Sequence, residues 1–514
     1  MRRRPFLAAR PALSLLLLAV PLVTLRAQDY ERLAPKVPPI QQGQIEMPPL
    51  PPRAEGDDTK VLVKNLEGLI FVDSPEKVRK AGVSGVKGVQ AEGLPLLQDP
   101  EFRRVTDSFI GKPVTLRSLN DMVREIVIYY RENDRPVVDV IVPEQEITSG
   151  VIQLVVIEAS LGQVRVEGND WFSSGMLADN VRIKPGMKFD EEVLRSDLRW
   201  INDNPFRDVN FIYTPGKEPG TADLVLQTKD RFPVRAFAGY EDSGNDLTDD
   251  SRYLAGLNWG DAFGLDQQMN YQYTTNPDGK KLNAHSGSWI IPLPWRHTLN
   301  IFGSYVESKA DVVAPFTLEG ISWQASTRYS APMPDLCDYR HEVIFGFDFK
   351  QSNNNLEFGG ITVTNTPTEI LQFVIGYDGS LKDDWGATTA GVNFFVSPGS
   401  WTAKNTTPNF QIYQAFAMAN YMYGAIDAER VTALPWDFTL SNVFKHQFSN
   451  ANLLGSEQFG LGGYQTVRGY DEREANGAEG FLIRNELRTS SISLGEFVGF
   501  PELKDQLQFL VFWD

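Results

Sequence analysis

From Phe232 onward the chain is built of segments of about ten residues in which apolar and polar side chains alternate. Met269, Tyr271 and Tyr273 fall on one face, and Gln268, Asn270 and Gln272 on the other. Val343, Phe345, Phe347 and Phe349 oppose Gly346, Asp348 and Lys350, and Leu371, Phe373, Ile375 and Tyr377 oppose Gln372, Gly376 and Asp378. Successive residues of a strand point to opposite faces, so each segment has one large apolar face and one small or polar face. In a transmembrane barrel the first meets lipid and the second lines the lumen. A soluble sandwich has the same period, with its polar face toward bulk water. Thirteen strands are expected, starting near 232, 252, 264, 282, 296, 319, 340, 367, 385, 409, 433, 479 and 506. In an antiparallel up-and-down array the first and thirteenth run the same way and cannot close as an antiparallel pair. An open edge would leave backbone groups unpaired in lipid, and bacterial barrels have even counts. The sequence also stops inside a strand, at Phe512-Trp513-Asp514. It is therefore expected to be C-terminally truncated, with about three strands missing from a barrel over 231–514.

Residues 1–27 read as a secretory signal peptide: Arg2 to Arg4 form a positive start, Leu15 to Leu18 and Val20 to Val23 an apolar core, and Ala27 a cleavage residue. A short membrane anchor is the alternative. Beyond it no run of about 18 apolar residues occurs, so any membrane crossing must use strands. Eight of the ten tryptophans lie after residue 232. Trp259, Trp289, Trp295, Trp323 and Trp401 lie near segment ends, where an interfacial girdle would sit. A signal peptide with a single cysteine, Cys337, allows no intrachain disulfide and favours a bacterial outer membrane over a soluble sandwich. The leader holds five of the 49 basic residues and none of the 66 acidic ones, so the mature chain is more acidic than the formal −17. That excludes a nucleic-acid partner, which needs clustered Lys and Arg.

Residues 28–58 form a Pro-rich linker that favours extended chain and leaves little room for a plug helix. Residues 59–159 read as strand, helix, strand, strand. Leu119, Met122, Val123, Ile126 and Tyr130 share a helical face, with Ser118 and Asp121 placed as a capping box. Residues 160–230 repeat the plan, with a helix after Asp190 and strands at Val209 to Tyr213 and Leu224 to Leu226. The run Asp134 to Val140 echoes Asp203 to Val209 at the same place between helix and strand. Two α+β modules therefore precede the barrel.

The stretch Gly460-Leu461-Gly462-Gly463-Tyr464-Gln465-Thr466-Val467-Arg468-Gly469-Tyr470 interrupts the strand array. Gly462 and Gly463 can take positive φ without steric cost, so the chain can fold tightly back. An arginine between membrane strands needs a carboxylate or water around it. Taken alone, the stretch also fits an ordinary Gly-rich hairpin. Together with Gly480 to Leu487 it resembles the VRGY loop, and the strand after it, of the TpsB family of two-partner secretion transporters. In that family haemolysin secretion/activation-type proteins join POTRA domains to a sixteen-stranded outer-membrane barrel.

The resemblance implies that 59–159 and 160–230 are POTRA domains in the periplasm that receive a secreted exoprotein of the TpsA type, adhesin or haemolysin-like. The means would be an exposed sheet edge taking up an extended segment; a passive spacer is the alternative. It implies passage of the unfolded exoprotein through the barrel without nucleotide hydrolysis, contact with outer-membrane lipid, and insertion by the barrel-assembly machinery. It pairs the motif residues Val467, Arg468, Gly469 and Tyr470, through Arg468, with Asp514 in Phe512-Trp513-Asp514, which resembles the family's F-x-D motif without its following glycine. Arg484, Glu486 and Arg488 are expected as neighbouring lumen charges.

No phosphate loop, zinc-protease or nucleophile-elbow motif occurs, and the four histidines lack metal-ligand spacing. No catalytic residue, cofactor or metal is expected. Two other readings remain: an insertase of the same superfamily, which usually carries more POTRA units, and a diffusive porin, which has no use for the modules.

Overall fold

The computed structural model describes residue 30 and residues 33–52, 60–245, 248–311, 316–336, 338–358, 361–364, 367–499 and 505–514. The leader and Cys337 lie outside the described residues. The chain divides into two compact units, one of residues 39–232 and one of residues 1–38 with 233–514.

The first unit holds two modules. Its strands are β1 (Ile45–Glu46), β2 (Val61–Val63), β3 (Gly68–Val72), β4 (Gly88–Glu92), β5 (Val114–Thr115), β6 (Val138–Ile141), β7 (Val151–Glu158), β8 (Ser160–Glu167), β9 (Arg207–Pro215) and β10 (Thr221–Asp230). Its helices are α1 (Pro100–Thr106), α2 (Leu116–Glu132), α3 (Ser174–Asp179) and α4 (Glu191–Asn202). One sheet has the order β4-β3-β7-β6 and the other β1-β9-β10-β8. In each module a helix leads into an antiparallel pair, β6–β7 or β9–β10.

Leu119, Met122, Ile126 and Tyr130 of α2 are buried against β3 and β7 residues such as Phe71 and Leu154. The cap of α2 differs from the sequence expectation. Thr115 is the N-cap: its hydroxyl accepts from the Ser118 N–H at 3.2 Å, and Ser118 Oγ accepts from the Thr115 N–H at 2.8 Å. The helix therefore begins three residues earlier, because extended Thr115 ends β5 with its side chain already aimed at the first turn. In the second module Asp190 caps α4 by accepting from the Val193 N–H at 3.1 Å, and Leu194, Leu198 and Ile201 are buried. The first module also contains β3, β4 and α1, elements that the strand–helix–strand–strand reading left out.

The Pro-rich stretch is more than a linker. Ile45 and Glu46 add to the second module's sheet parallel to β9, with Ile45 opposite Phe211. Gly43 makes this approach possible: a Cβ there would lie 1.9 Å from the Val209 carbonyl oxygen. Farther along, Arg131 donates to the Pro48 carbonyl at 2.7 Å and Arg124 to that of Pro51 at 3.0 Å.

The second unit is an antiparallel sheet. Its strands are β11 (Val234–Asn245), β12 (Asp249–Ala262), β13 (Gln267–Thr275), β14 (Leu282–Pro292), β15 (Thr298–Asp311), β16 (Phe316–Pro332), β17 (Tyr339–Phe358), β18 (Ile361–Thr364), β19 (Thr368–Asp383), β20 (Gly386–Ser397), β21 (Tyr421–Ala433), β22 (Thr439–Ser449), β25 (Gly480–Arg488) and β26 (Leu510–Trp513). Thirteen of them follow one another along a single path, with β18 attached to β17 beside it. Between β22 and β25 a separate hairpin is formed by β23 (Phe459–Leu461) and β24 (Ala475–Gly477). Among the described residues no helix is long and apolar enough to cross a membrane.

Alternation sets the two faces as expected. Asn270, Gln272, Asp348 and Gln372 are buried, while Tyr271, Phe345, Phe373 and Ile375 are exposed on the opposite face. Exposed large apolar side chains on one face of most of the described strands are what a lipid-facing wall requires. The tenth and eleventh strands begin later than the alternation predicts, at Tyr421 and Thr439. The strand expected at 409 is the helix α5 (Thr407–Tyr413), with Pro408 in its first turn and Phe410 buried, and β21 begins only at Tyr421. Pro408 starts a helix well but cannot donate within a ladder. Trp323 lies within the seventeen-residue β16 rather than near its end. Trp295, Trp385 and Trp436 are exposed at short turns on one end of the sheet.

Residues before the modules line this sheet's inner face. The Lys36 N–H donates to Gln272 Oε1 at 3.1 Å, Asn258 Nδ2 donates to the Lys36 carbonyl at 3.2 Å, and Lys36 Nζ lies 2.8 Å from Glu241. Ser286 Oγ donates to the Leu33 carbonyl, and the Tyr30 ring packs on Phe302 with centroids 4.6 Å apart.

Candidate functional site: an arginine-tipped loop on the barrel wall

The β23–β24 hairpin carries the loop at residues 462–474. Gly462, Gly463 and Gly469 have φ of 108°, 97° and 92°, in the region that favours glycine. At the first two the space is filled as well. A Cβ on Gly462 would lie 2.1 Å from the Asp471 carbonyl oxygen, and one on Gly463 2.2 Å from the Glu472 carboxylate. The Gly463 N–H donates to the Tyr470 carbonyl at 3.0 Å, and Thr466 Oγ donates to that of Gly462 at 2.6 Å. The loop is thus folded on itself, with Arg468 at its tip.

Arg468 grips Asp514 with two parallel bonds, Nε to Oδ2 at 2.9 Å and Nη2 to Oδ1 at 2.8 Å. Its backbone N–H also donates to Asp514 Oδ2, at 3.1 Å. Its remaining guanidinium nitrogen, Nη1, reaches Glu486 Oε2 at 2.6 Å. The guanidinium carbon lies 3.6 Å from the centroid of the Phe512 ring. Charge-assisted, bidentate bonds are the strongest that a side chain of this kind makes, and an aromatic face adds to them.

The wall supplies these partners because of strand register. Arg484, Glu486 and Arg488 recur at every second residue of β25 and share its inner face. Glu486 pairs with Phe512 across to β26, so Phe512 and Asp514 lie on that same face while Val511 and Trp513 point outward. Arg488 Nε donates to Glu486 Oε1. Arg484 Nη1 donates to the Gln465 carbonyl at 2.9 Å, and Arg484 Nε lies 3.6 Å from Asp514 Oδ1. Three guanidiniums therefore share two carboxylates. The Val467 side chain is half-buried and that of Tyr470 exposed, so the motif's contact with the wall runs through Arg468 and, beside it, Gln465.

Sequence reasoning missed the Phe512 ring as a partner, although it precedes the aspartate by two residues and therefore shares its face. It also missed a second buried cluster, in which Arg328, Asp348, Lys350, Gln372 and Glu457 meet. Four of these were readable as inward polar residues on strands; Glu457, in a connection, carried no periodic signal. A cavity of about 1030 Å³ inside the barrel is lined by Leu33 and Lys36 on one side and by Tyr464, Gln465, Glu472 and Arg473 of the loop on another.

A family model for the haemolysin secretion/activation protein ShlB/FhaC/HecB matches residues 220–505, and one for the ShlB-type POTRA domain matches residues 85–159. The heme/hemopexin transporter protein HuxB of Haemophilus influenzae is 23% identical over 417 residues, which cover 76% of this chain and 69% of the relative. The outer membrane transporter CdiB of Escherichia coli is 22% identical over 452 residues, covering 83% and 73%. The solved structure of CdiB from Escherichia coli superposes with a TM-score of 0.64 at 17% identity, over 87% of this chain and 78% of that one. That of CdiB from Acinetobacter baumannii gives 0.53 at 15% identity, over 90% and 82%. The arginine loop and β25 lie within the span of the first family model, and Phe512 and Asp514 just beyond it. That span exceeds half the chain: the chain belongs to the haemolysin secretion/activation protein ShlB/FhaC/HecB family.

Proposed function

We propose that a secreted exoprotein passes through the interior of this barrel in an extended state, and that the loop bearing Arg468 must give way for it to do so. The chain is an outer-membrane two-partner secretion transporter with its POTRA modules in the periplasm. The exoprotein would be of the TpsA type, large and secreted, encoded with its transporter and received by the modules. The relative HuxB is a heme/hemopexin transporter protein, which makes a heme/hemopexin-related exoprotein one class of cargo to try.

One observation carries the reading: Arg468 at the tip of an internal loop is paired with Asp514 on the wall while the loop lines the barrel cavity. A polypeptide entering that space meets the loop, and the pairing defines the resting position from which it moves. Barrel insertion would rely on the barrel-assembly machinery and on lipid contact by the outward residues.

The test co-expresses an exoprotein with the Arg468→Ala variant. Secretion is expected to fall at least about tenfold, the equivalent of ~1.4 kcal/mol, while unheated protein keeps the gel mobility of an inserted barrel. Wild-type secretion by that variant would overturn the role of the loop. Loss of many outer-membrane proteins on deletion of the chain, rather than of one secreted protein, would favour an insertase.

A further inference from the structure

The connection that carries Arg468 is held at a second place, deeper than the first. Glu457, two residues before β23, has its carboxylate buried among four partners. Lys350 Nζ of β17 donates to Oε1 at 2.6 Å, and Ser456 Oγ to the same oxygen at 3.1 Å. Gln372 Nε2 of β19 donates to Oε2 at 3.0 Å, and the Tyr423 hydroxyl of β21 to the same oxygen at 2.8 Å. Gln372 also bridges to Asp348 Oδ2 at 3.0 Å, and Asp348 is gripped by Arg328 of β16 at 2.7 and 3.1 Å. The four charges balance, two of each sign. Their side chains are 0–6% exposed, against 11% for Arg468, 10% for Glu486 and 3% for Asp514, and in the tip Tyr464 and Tyr470 are 73% and 61% exposed.

Around this cluster the connection is packed as core. Leu453 and Leu454 are buried with Phe410, Phe395, Tyr421 and Tyr423. Arg473 Nη2 donates to the carbonyls of Gly455 and Gln458, each at 3.0 Å, and so ties the base of the hairpin to the same anchorage. Between that base and Arg468 lie Gly462 and Gly463, with left-handed backbone and no Cβ to bar other φ and ψ values once the loop's own contacts open.

We propose that Glu457 is the fixed root of this connection, a positioning residue that holds residues 453–461 to the wall while the tip at 462–472 swings about Gly462 and Gly463. The inference rests on the reading that the loop moves during export. Burial decides which end yields: a balanced, dry cluster is costly to separate, whereas the better-hydrated tip exchanges its partners for water at lower cost.

The test places a single cysteine at Leu453, or at exposed Tyr464, in a Cys337→Ser background. Each is labelled in outer membranes with a membrane-impermeant maleimide, with and without a co-expressed exoprotein. Leu453→Cys is expected to stay unlabelled at rest and during export, while labelling of Tyr464→Cys changes with export. Adding Glu457→Gln is expected to speed labelling of Leu453→Cys at least about tenfold at rest. Should that variant fail to insert, Tyr423→Phe, which removes one hydrogen bond, is expected to give a smaller increase. Labelling of Leu453→Cys during export by the otherwise unaltered chain would overturn the root, as would no increase in either variant. The resting measurement needs no cargo. If Arg468→Ala secretes normally while Glu457→Gln exposes position 453, the gating reading falls and the root stands.

Discussion

Arg468 makes all of its polar contacts with the wall through two carboxylates, and they are not equivalent. Asp514 takes three of its hydrogen bonds and Glu486 one, and Glu486 is also bound by Arg488. Charge-assisted bonds are roughly twice as strong as neutral ones, so replacing a carboxylate by an amide weakens the pair without removing its shape. Asp514→Asn is accordingly expected to leave the barrel inserted and to raise the frequency of spontaneous openings in planar bilayers. Glu486→Gln should raise it less, because the bidentate grip on Asp514 remains. Equal conductance records for the wild type and Asp514→Asn would count against this division of roles. At this scale the sequence was informative where a period of two applied: Glu486, Arg484 and Asp514 could be placed on one face from spacing. It was silent on Glu457, whose position depends on where an irregular connection returns to the wall.

Among the elements, strands were legible because lipid on one side and lumen on the other impose a strict alternation. The elements that were misread are those for which local chemistry decides. The alternating run Asn409-Phe410-Gln411-Ile412 satisfies a strand template, yet with Pro408 in the first turn it forms part of α5, and Phe410 joins the core beside Tyr421. For α2 the cap is Thr115, and Thr115→Ala is expected to cost about 1 kcal/mol, read as faster amide exchange across the first turn of the helix. The β1 strand depends on Gly43. Gly43→Ala forces a Cβ against the Val209 carbonyl and should free the Phe211 N–H, which donates to the Gln44 carbonyl at 2.9 Å. Unchanged exchange at Phe211 in that variant would show that the edge of β9 is protected without β1.

The connection between β25 and β26 offers a test by pH. Asp505 accepts from the N–H groups of Gly495 at 2.9 Å and Leu494 at 2.7 Å and from Ser493 Oγ at 2.9 Å. The Gly495 N–H, then the Ser493 hydroxyl, hold its carboxyl below the usual aspartate range. A depressed value means that the contribution is complete above the unfolded aspartate pKa of about 3.9 and is lost as pH falls through the folded one. Amide exchange at Leu494 and Gly495, referred to the intrinsic rate, should therefore accelerate only below that range.

For the molecule as a whole, an acidic chain with no long apolar helix among its described residues still crosses a membrane, because its apolar surface is spread over one face of thirteen strands. Fold class and modular order could be read from this pattern. The lining of the barrel by residues 33–36 could not, since a Pro-rich stretch without periodicity gives no sign of what it touches. The central claim is that the Arg468 loop must leave its resting place for export. It is tested most directly by fastening the loop to the wall. In a Cys337→Ser background, Gln465→Cys and Arg484→Cys can be joined by a short bis-methanethiosulfonate, which forms a reducible disulfide with each thiol and releases sulfinate, across the contact that their parent residues make at 2.9 Å. Export of a co-expressed exoprotein is predicted to stop when the two are joined and to return on reduction to the level of the unjoined variant. Undiminished export through the joined form would contradict the account.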